Sequence, residues 1–330
     1  MILTENDSFV IYRKPYTEKV NIIRGNWIKE EKISIPSSKS FVFSTFNGEF
    51  FKISGETQTV KNPIEIKISI ENNVESTGID FYKNSIQTAL NLIDNGILNK
   101  IIISRLIKYK HQIQNYHDLF IAYCKNYSHG LVYLLNHPKK GLWIGVSPEL
   151  LLSKNSSSSY STEALAGSQK WNSEIKWNKK EIEEQDFVSQ HILKCIKKHG
   201  NLISKSKPLT KKAGNLAHIN TLFDFSINSD MNDFIEDLHP TPAIAGTPRA
   251  VAIKKIKAVE KHKRELYCGF LGEISENKTE LYINLRCAKA FKNSLNLYVG
   301  GGVTNKSEIE KEFEETEIKS QTLLSVIKNL

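Results

Sequence analysis

Three isoleucines in a row, Ile101-Ile102-Ile103, sit inside a β-branched stretch at 100–109. Alternate residues of a strand face opposite sides, so such a run needs apolar cover on both faces. The rest of the chain supplies that cover mainly as more strands. Short strands are expected at 40–46, 49–53 and 64–70, split by Gly and Pro turn signals. Others are expected at 131–136, 142–146, 150–153, 219–227, 267–274, 280–290 and 294–299. Helices are expected at about 80–95, stopped by Gly96, at 178–200, ended by Gly200, and at 230–238, 249–261 and 306–330. Strands outnumber helices and often follow one another directly. That argues for an α+β chain with a largely antiparallel sheet core rather than a doubly wound βαβ fold. No P-loop or G-x-G-x-x-G opens a helix after the first strand, which counts against ATP and dinucleotide chemistry. The serine-rich patch at 155–159 reads as a polar surface loop.

The charge balance is basic. The 330 residues carry 45 Lys+Arg against 36 Asp+Glu, a net charge of +9. The arginines are only Arg13, Arg24, Arg105, Arg249, Arg264 and Arg286. A nucleic-acid binder spends more Arg on base and phosphate forks, so nucleic acid is not favoured as a partner. Cys124, Cys195, Cys268 and Cys287 form no C-x-x-C, which argues against a zinc ribbon. The N-terminus meets Glu5 and Asp7 before any apolar segment, and no apolar run approaches the roughly 18 residues of a membrane span. A cytoplasmic, reduced protein with no membrane partner is expected.

Several residues could carry chemistry. Glu181 and Glu184 are spaced i, i+3 on one expected helix, and Glu312 and Glu315 repeat the spacing on the last. Two such pairs face to face could hold a hard cation such as Mg²⁺. The alternative is a solvated acidic face offset by Lys179, Lys180 and Lys311. Gly300-Gly301-Gly302 could let backbone N–H groups hold a carboxylate, or could be an ordinary strand-to-helix turn. Ala166-Gly167-Ser168 is a similar small-residue strand end. His239 lies beside Pro240 in a segment with a second proline, Pro242, which would aim its imidazole. A structural histidine is the alternative. Lys100 stands at the entrance to the isoleucine strand, either desolvated as a general base or snorkelling. Glu149, in Ser147-Pro148-Glu149, could be a general acid or a turn residue.

Taken together, these segments resemble one family. KIIISR at 100–105, SPELL at 147–151, LAGS at 165–168, HPTPAIAGTP at 239–248, RELYCGFLG at 264–272, Leu285-Arg286, VGGGV at 299–303 and EFEETEIK at 312–319 occur in the order found in the chorismate-utilising enzymes. The resemblance covers residues 80–330. Residues 1–79 look divergent and contribute strands but no recognised motif. It implies a single domain over 1–330, with two packed, mainly antiparallel sheets and helices outside. It also implies Mg²⁺-dependent chemistry on chorismate.

Two positions speak to the subfamily. Lys100 stands where water-using members carry their general base and anthranilate synthases carry Gln. Ala166 stands where aminodeoxychorismate synthases carry a nucleophilic Lys. Isochorismate synthase fits, with salicylate synthase as the close rival and a non-catalytic, Lys-rich binding protein as the alternative of another class. The resemblance implies that neutral Lys100 activates water for attack at C2 and that protonated Glu149 assists loss of the C4 hydroxyl. Glu184 and Glu315 match direct Mg²⁺ ligands, with Glu181 and Glu312 direct or through water. Arg286 and Tyr267 match the site for the enolpyruvyl carboxylate. Gly300, Gly302 and Lys319 would serve a carboxylate, Ala166, Gly167 and Ser168 would let the ring approach, and His239 would sit near the leaving group. Gln185 departs from the His that many members carry there. The resemblance implies no obligatory glutamine amidotransferase subunit, a monomer or weak homodimer, and service to menaquinone or siderophore biosynthesis.

Overall fold

The computed structural model describes all residues except 35, 37–38, 155–158 and 215. The serine-rich patch therefore lies almost wholly outside the described residues. The helices are α1 (Ile79–Asp94), α2 (Tyr116–Asn126), α3 (Lys179–His199), α4 (Met231–Leu238), α5 (Arg249–Val259) and α6 (Ile309–Ile327).

Two large antiparallel sheets form the body. One runs in the order Gly246–Thr247, Lys100–Lys110, Ser294–Val303, Cys287–Phe291, Gly141–Ser147, Leu131–His137, Phe9–Arg13, Val20–Arg24, Gln58–Thr59. The other runs Gly200–Lys205, Leu216–Ile227, Tyr160–Lys170, Leu150–Lys154, Thr279–Ile283, Phe270–Ile274, Ser40–Ser44, Phe50–Ser54, Trp27–Glu30, with Leu209–Ala213 beside Leu216–Ile227. Tyr12, Tyr133 and Trp143 of the first sheet pack with Phe41, Phe43 and Leu152 of the second in one core. Phe9, Leu134, Ile144 and Leu297 face the other way, under Leu119 and Phe120 of α2 and Leu323 and Ile327 of α6. Both faces of the first sheet are thus covered over most of its width; of the isoleucine run, Ile101 and Ile103 join the core while Ile102 lines a cavity, and the α+β expectation holds.

Differences from the sequence reading have physical reasons. The expected strand 280–290 is two strands, Thr279–Ile283 and Cys287–Phe291, in different sheets. Asn284-Leu285-Arg286 crosses between them, with Arg286 at a φ of 46°. The glycines 300–302 are not a turn: they lie inside the strand Ser294–Val303, paired to Lys100–Lys110. Gly200–Lys205 and Leu209–Ala213, which both pair with Leu216–Ile227, are mostly exposed and carry no apolar alternation, whereas Phe9–Arg13 and Val20–Arg24 are apolar runs absent from the expected set. Also absent from it is α2, whose apolar stripe Tyr116, Leu119, Phe120 and Tyr123 is mostly aromatic and begins at an Asn115 cap.

Candidate active site

The site begins with strand register. Gly302 pairs with Ile102 and Gly300 with Ser104, so the side of the strand that carries Lys100 and Ile102 lies beside bare glycine backbone. A Cβ on Gly302 would stand 2.6 Å from Glu184 Oε2 and 2.9 Å from Lys100 Cε. The glycine is what admits the Glu184 carboxylate from α3. Lys100 is only 1% exposed, and its Nζ pairs with Glu184 Oε2 at 3.3 Å. Cys287–Phe291 pairs with Ser294–Val303 only as far as Tyr298. Beyond that point alternate N–H groups of the glycine strand have no strand partner on that side.

Two crossings between the sheets supply the facing wall. Ser147-Pro148-Glu149 links Gly141–Ser147 to Leu150–Lys154, and Asn284-Leu285-Arg286 makes the return. They are stitched to each other: Ile283 N donates to Glu149 O at 3.0 Å, Val146 N to Arg286 O at 3.0 Å, and Ser147 Oγ to Ile283 O. Glu149 and Arg286 thereby reach one cavity from adjacent turns. Burial, and then the nearby Glu163, push the Glu149 carboxyl up to about 8. Glu163 is itself held by Lys211 at 2.7 Å and Asn220 at 3.0 Å.

The cavity encloses about 720 Å³ of non-atom space, its mouth included. Lys100, Glu149, Ala166, Gly167, Ser168, Glu184, Tyr267, Arg286, Gly300, Gly302, Glu315 and Lys319 all line it. A bulge between Ala166 and Ser168 turns that strand, with Gly167 at a φ of 68°. Lys319 Nζ donates to Gly300 O at 2.8 Å and pairs with Glu315 at 2.5 Å.

His218, which carries no sign in the sequence, also lines the cavity. It is paired across the strands with Ser168 and sits 3.1 Å from Gly167 O. A carbonyl only accepts, so Nδ1 carries the proton and Nε2 accepts from Arg286 Nη2 at 3.4 Å. Burial, Arg286 and Lys319 hold the His218 pKa down at about 3, so the ring is neutral.

The acidic face is built from α3 and α6. Glu184, Glu312 and Glu315 converge, as the i, i+3 spacing on α6 allows. Lys180 Nζ contacts Glu312 Oε1 and lies 3.5 Å from Glu184 Oε1. Burial, and then the neighbouring Glu315, push the Glu312 carboxyl above its ordinary value. Burial acts on Glu315 the same way, but Lys319 and Lys180 outweigh it and hold that carboxyl below its ordinary value. Three carboxylates from two helices could serve as a hard-cation donor set, and Glu312 Oε2 is buried with no hydrogen-bond partner among the described residues. Among the described residues no three metal-type side chains stand ready to bind an ion as they are. Lysines occupy the carboxylates instead.

Glu181 and His239 do not line the cavity. Glu181 Oε2 accepts from Asn178 N at 3.0 Å, so this carboxylate caps its own helix, while the residue lines the groove shared by Lys180, Glu312 and Glu315. His239 Nε2 donates to Cys268 O at 2.9 Å and its ring packs edge-on against Phe270 at 5.2 Å, beside a different, shallow cavity. The ring thus stands behind Cys268, which itself lines the cavity. Gln185 is buried and donates to Ser189 and Thr221 rather than into the acidic face. No described helix is long and apolar enough to cross a membrane.

Comparison with known proteins agrees with this architecture. The sequence profile of the chorismate binding enzyme family matches residues 43–328. The vibriobactin-specific isochorismate synthase of Vibrio cholerae is 24% identical over 282 residues, 81% of this chain and 71% of that protein. Isochorismate synthase DhbC of Bacillus subtilis is 28% identical over 267 residues, 74% of this chain and 66% of that protein. The chain thus spans about two thirds of the length of these curated relatives. The menaquinone-specific isochorismate synthase MenF from Escherichia coli superposes with a TM-score of 0.80 at 18% identity, covering 98% of this chain and 89% of that one. A profile match over most of the chain, onto a fold whose sheet crossings carry the motif residues, has one reading: the chain belongs to the chorismate-binding enzyme family.

Proposed function

We propose that this protein is an isochorismate synthase, isomerising chorismate to isochorismate with water as the nucleophile. The observation that carries the reading is the placement of Lys100 on a strand of the first sheet and of Glu149 in the crossing to the second, both lining one cavity beside the small Ala166. An addition at C2 coupled to a loss at C4 needs a base and an acid separated by a ring. Lys100 takes a proton from water as its oxygen bonds to C2. The ring double bonds shift, the C4–O bond breaks, and Glu149 gives its proton to the departing hydroxyl. One water enters and one leaves, so the reaction is a net isomerisation. A carboxyl titrating at about 8 is still protonated at neutral pH, as a donor must be.

Arg286, aimed by His218, and Tyr267 would receive the enolpyruvyl carboxylate. The free N–H groups of the glycine strand and Lys319 would serve the ring carboxylate. Glu184, Glu312 and Glu315 would hold Mg²⁺, which when bound neutralises a substrate carboxylate. Ala166 offers no amine for a covalent intermediate, and no amidotransferase partner is needed to supply ammonia. We propose further that residues 1–330 act as one catalytic unit, in the cytoplasm, as a monomer or weak homodimer.

The deciding assay incubates the purified protein with chorismate and Mg²⁺ in ¹⁸O-water. Isochorismate carrying the label at C2 is expected. Salicylate with pyruvate would mean that elimination follows in the same pocket, and turnover only with ammonia would overturn the reading.

A further inference from the structure

The three converging carboxylates are matched by three lysines. Glu184 has Lys100 at 3.3 Å, Glu315 has Lys319 at 2.5 Å, and Glu312 has Lys180. Two of these lysines are fixed. Lys100 is buried in its strand, and Lys319 is tied to Gly300 O at 2.8 Å.

Lys180 differs. It belongs to the first turn of α3, bridges to α6 through Glu312, and reaches Glu184 Oε1 at 3.5 Å. Its side chain keeps 18% of its exposure. With Glu312 and Glu315 it lines an open surface groove that adjoins the substrate cavity at Ser168 and Glu315. The flexible Lys stem therefore has a way out into water. Glu312 has no such freedom: it is fully buried, and its Oε2 lacks any hydrogen-bond partner among the described residues. That carboxylate is arranged for a cation richer in contacts than one ammonium.

We propose that Lys180 is a built-in stand-in for the divalent cation: its ammonium holds α3 and α6 together in the metal-free protein and must swing into the groove before a metal can bind. The inference rests on reading Glu184, Glu312 and Glu315 as the metal ligands. A hard cation gathers several carboxylate oxygens at once, which Lys180 occupies one by one. The lysine therefore competes with the metal and sets how much is needed.

The test uses the whole protein without substrate. Lysine acetylation is followed by tandem mass spectrometry that separates Lys179 from Lys180, with and without saturating Mg²⁺. Labelling of Lys180 is expected to rise several-fold with Mg²⁺, and an unchanged or reduced rate would overturn the proposal. In parallel, Mg²⁺ binding is measured by calorimetry on wild type, Lys180→Gln and Lys180→Arg. The Gln variant is expected to bind at least tenfold more tightly and the Arg variant about as wild type. Equal or weaker binding by a folded Gln variant would overturn it. Should the Gln variant not fold, the labelling of wild type decides. Mg²⁺ that binds while Lys180 stays protected refutes this inference alone, whereas no Mg²⁺ binding to any form removes the ligand reading and the inference with it.

Discussion

Ile283 N donates to the backbone carbonyl of Glu149 at 3.0 Å, and this bond ties together the two crossings that carry Glu149 and Arg286. The acid and the carboxylate receiver are thus set by one piece of backbone, reinforced by Ser147 Oγ on Ile283 O. Ser147→Ala removes the second tie and leaves Ile283 O with its bond from Leu285 N at 2.8 Å. It should lower stability by about 0.5–1.5 kcal/mol and lower kcat/KM as well. Denaturant melts and kinetics on one preparation check this, and lost stability with unchanged kcat/KM would mean that the tie does not position the site.

Glu149 gives a pH prediction whose sign follows from its role. The acid works only when protonated, and burial with Glu163 places its titration at about 8. The rate should fall as pH rises through about 8, and at neutral pH this group should not limit it. Glu149→Gln should cost about 10²–10⁴-fold in kcat and abolish that alkaline limb. Keeping the limb in the Gln variant would assign it to another group.

Lys100→Ala should lower kcat by a similar factor of about 10²–10⁴ while the fold survives. Because Lys100 also pairs with Glu184 at 3.3 Å, a Lys100→Met control separates lost volume from lost base. Both variants should be equally inactive. Near-normal rate in either would move the base elsewhere.

The reaction motifs are legible in the sequence, and the geometry that unites them is not. Lys100, Glu149, Arg286 and Lys319 stand out because each sits in a short distinctive segment. The path of 280–290 is hidden because its residues are largely apolar and only the positive φ of Arg286 marks the break between sheets. His218 is silent in sequence because its meaning lies across a ladder, opposite Ser168 and beneath Arg286. Lys180 reads in sequence as a local offset for Glu184, and its main partner, Glu312, is on another helix. His239 misleads for the opposite reason: its prolines are conspicuous, but its ring bonds to Cys268 O and packs on Phe270 rather than lining the cavity.

Gly302→Ala tests the close approach directly. Its Cβ would stand 2.6 Å from Glu184 Oε2 and 2.9 Å from Lys100 Cε, so both side chains must shift. A displacement of about 1 Å at a reacting group can cost on the order of 10²-fold, and that loss is expected in kcat/KM. Gly301→Ala meets only Glu312, its Oε2 at 3.2 Å, and should be milder. Equal activity in the two variants would show that the glycines are not chosen for this contact.

The glutamates divide in a way that sequence spacing does not suggest. Glu181 and Glu184 share a helix and an i, i+3 spacing, yet Glu181 caps Asn178 N at 3.0 Å while Glu184 faces Lys100 and Lys180. Glu312 and Glu315 both face inward, one against Lys180 and the other against Lys319. Glu315→Gln should therefore raise the Mg²⁺ concentration needed for half-maximal activity by at least tenfold. Glu181→Gln should leave it within about twofold, and since a Gln oxygen still accepts from Asn178 N it should lose only the charge at the helix N-terminus, about 0.3–1 kcal/mol of stability. Titrating Mg²⁺ against initial rate for both variants, with thermal melts alongside, separates the roles. A Glu181→Gln requirement as high as that of Glu315→Gln would mean that the cap releases to join the metal, and an unchanged requirement in Glu315→Gln would take α6 out of the metal site.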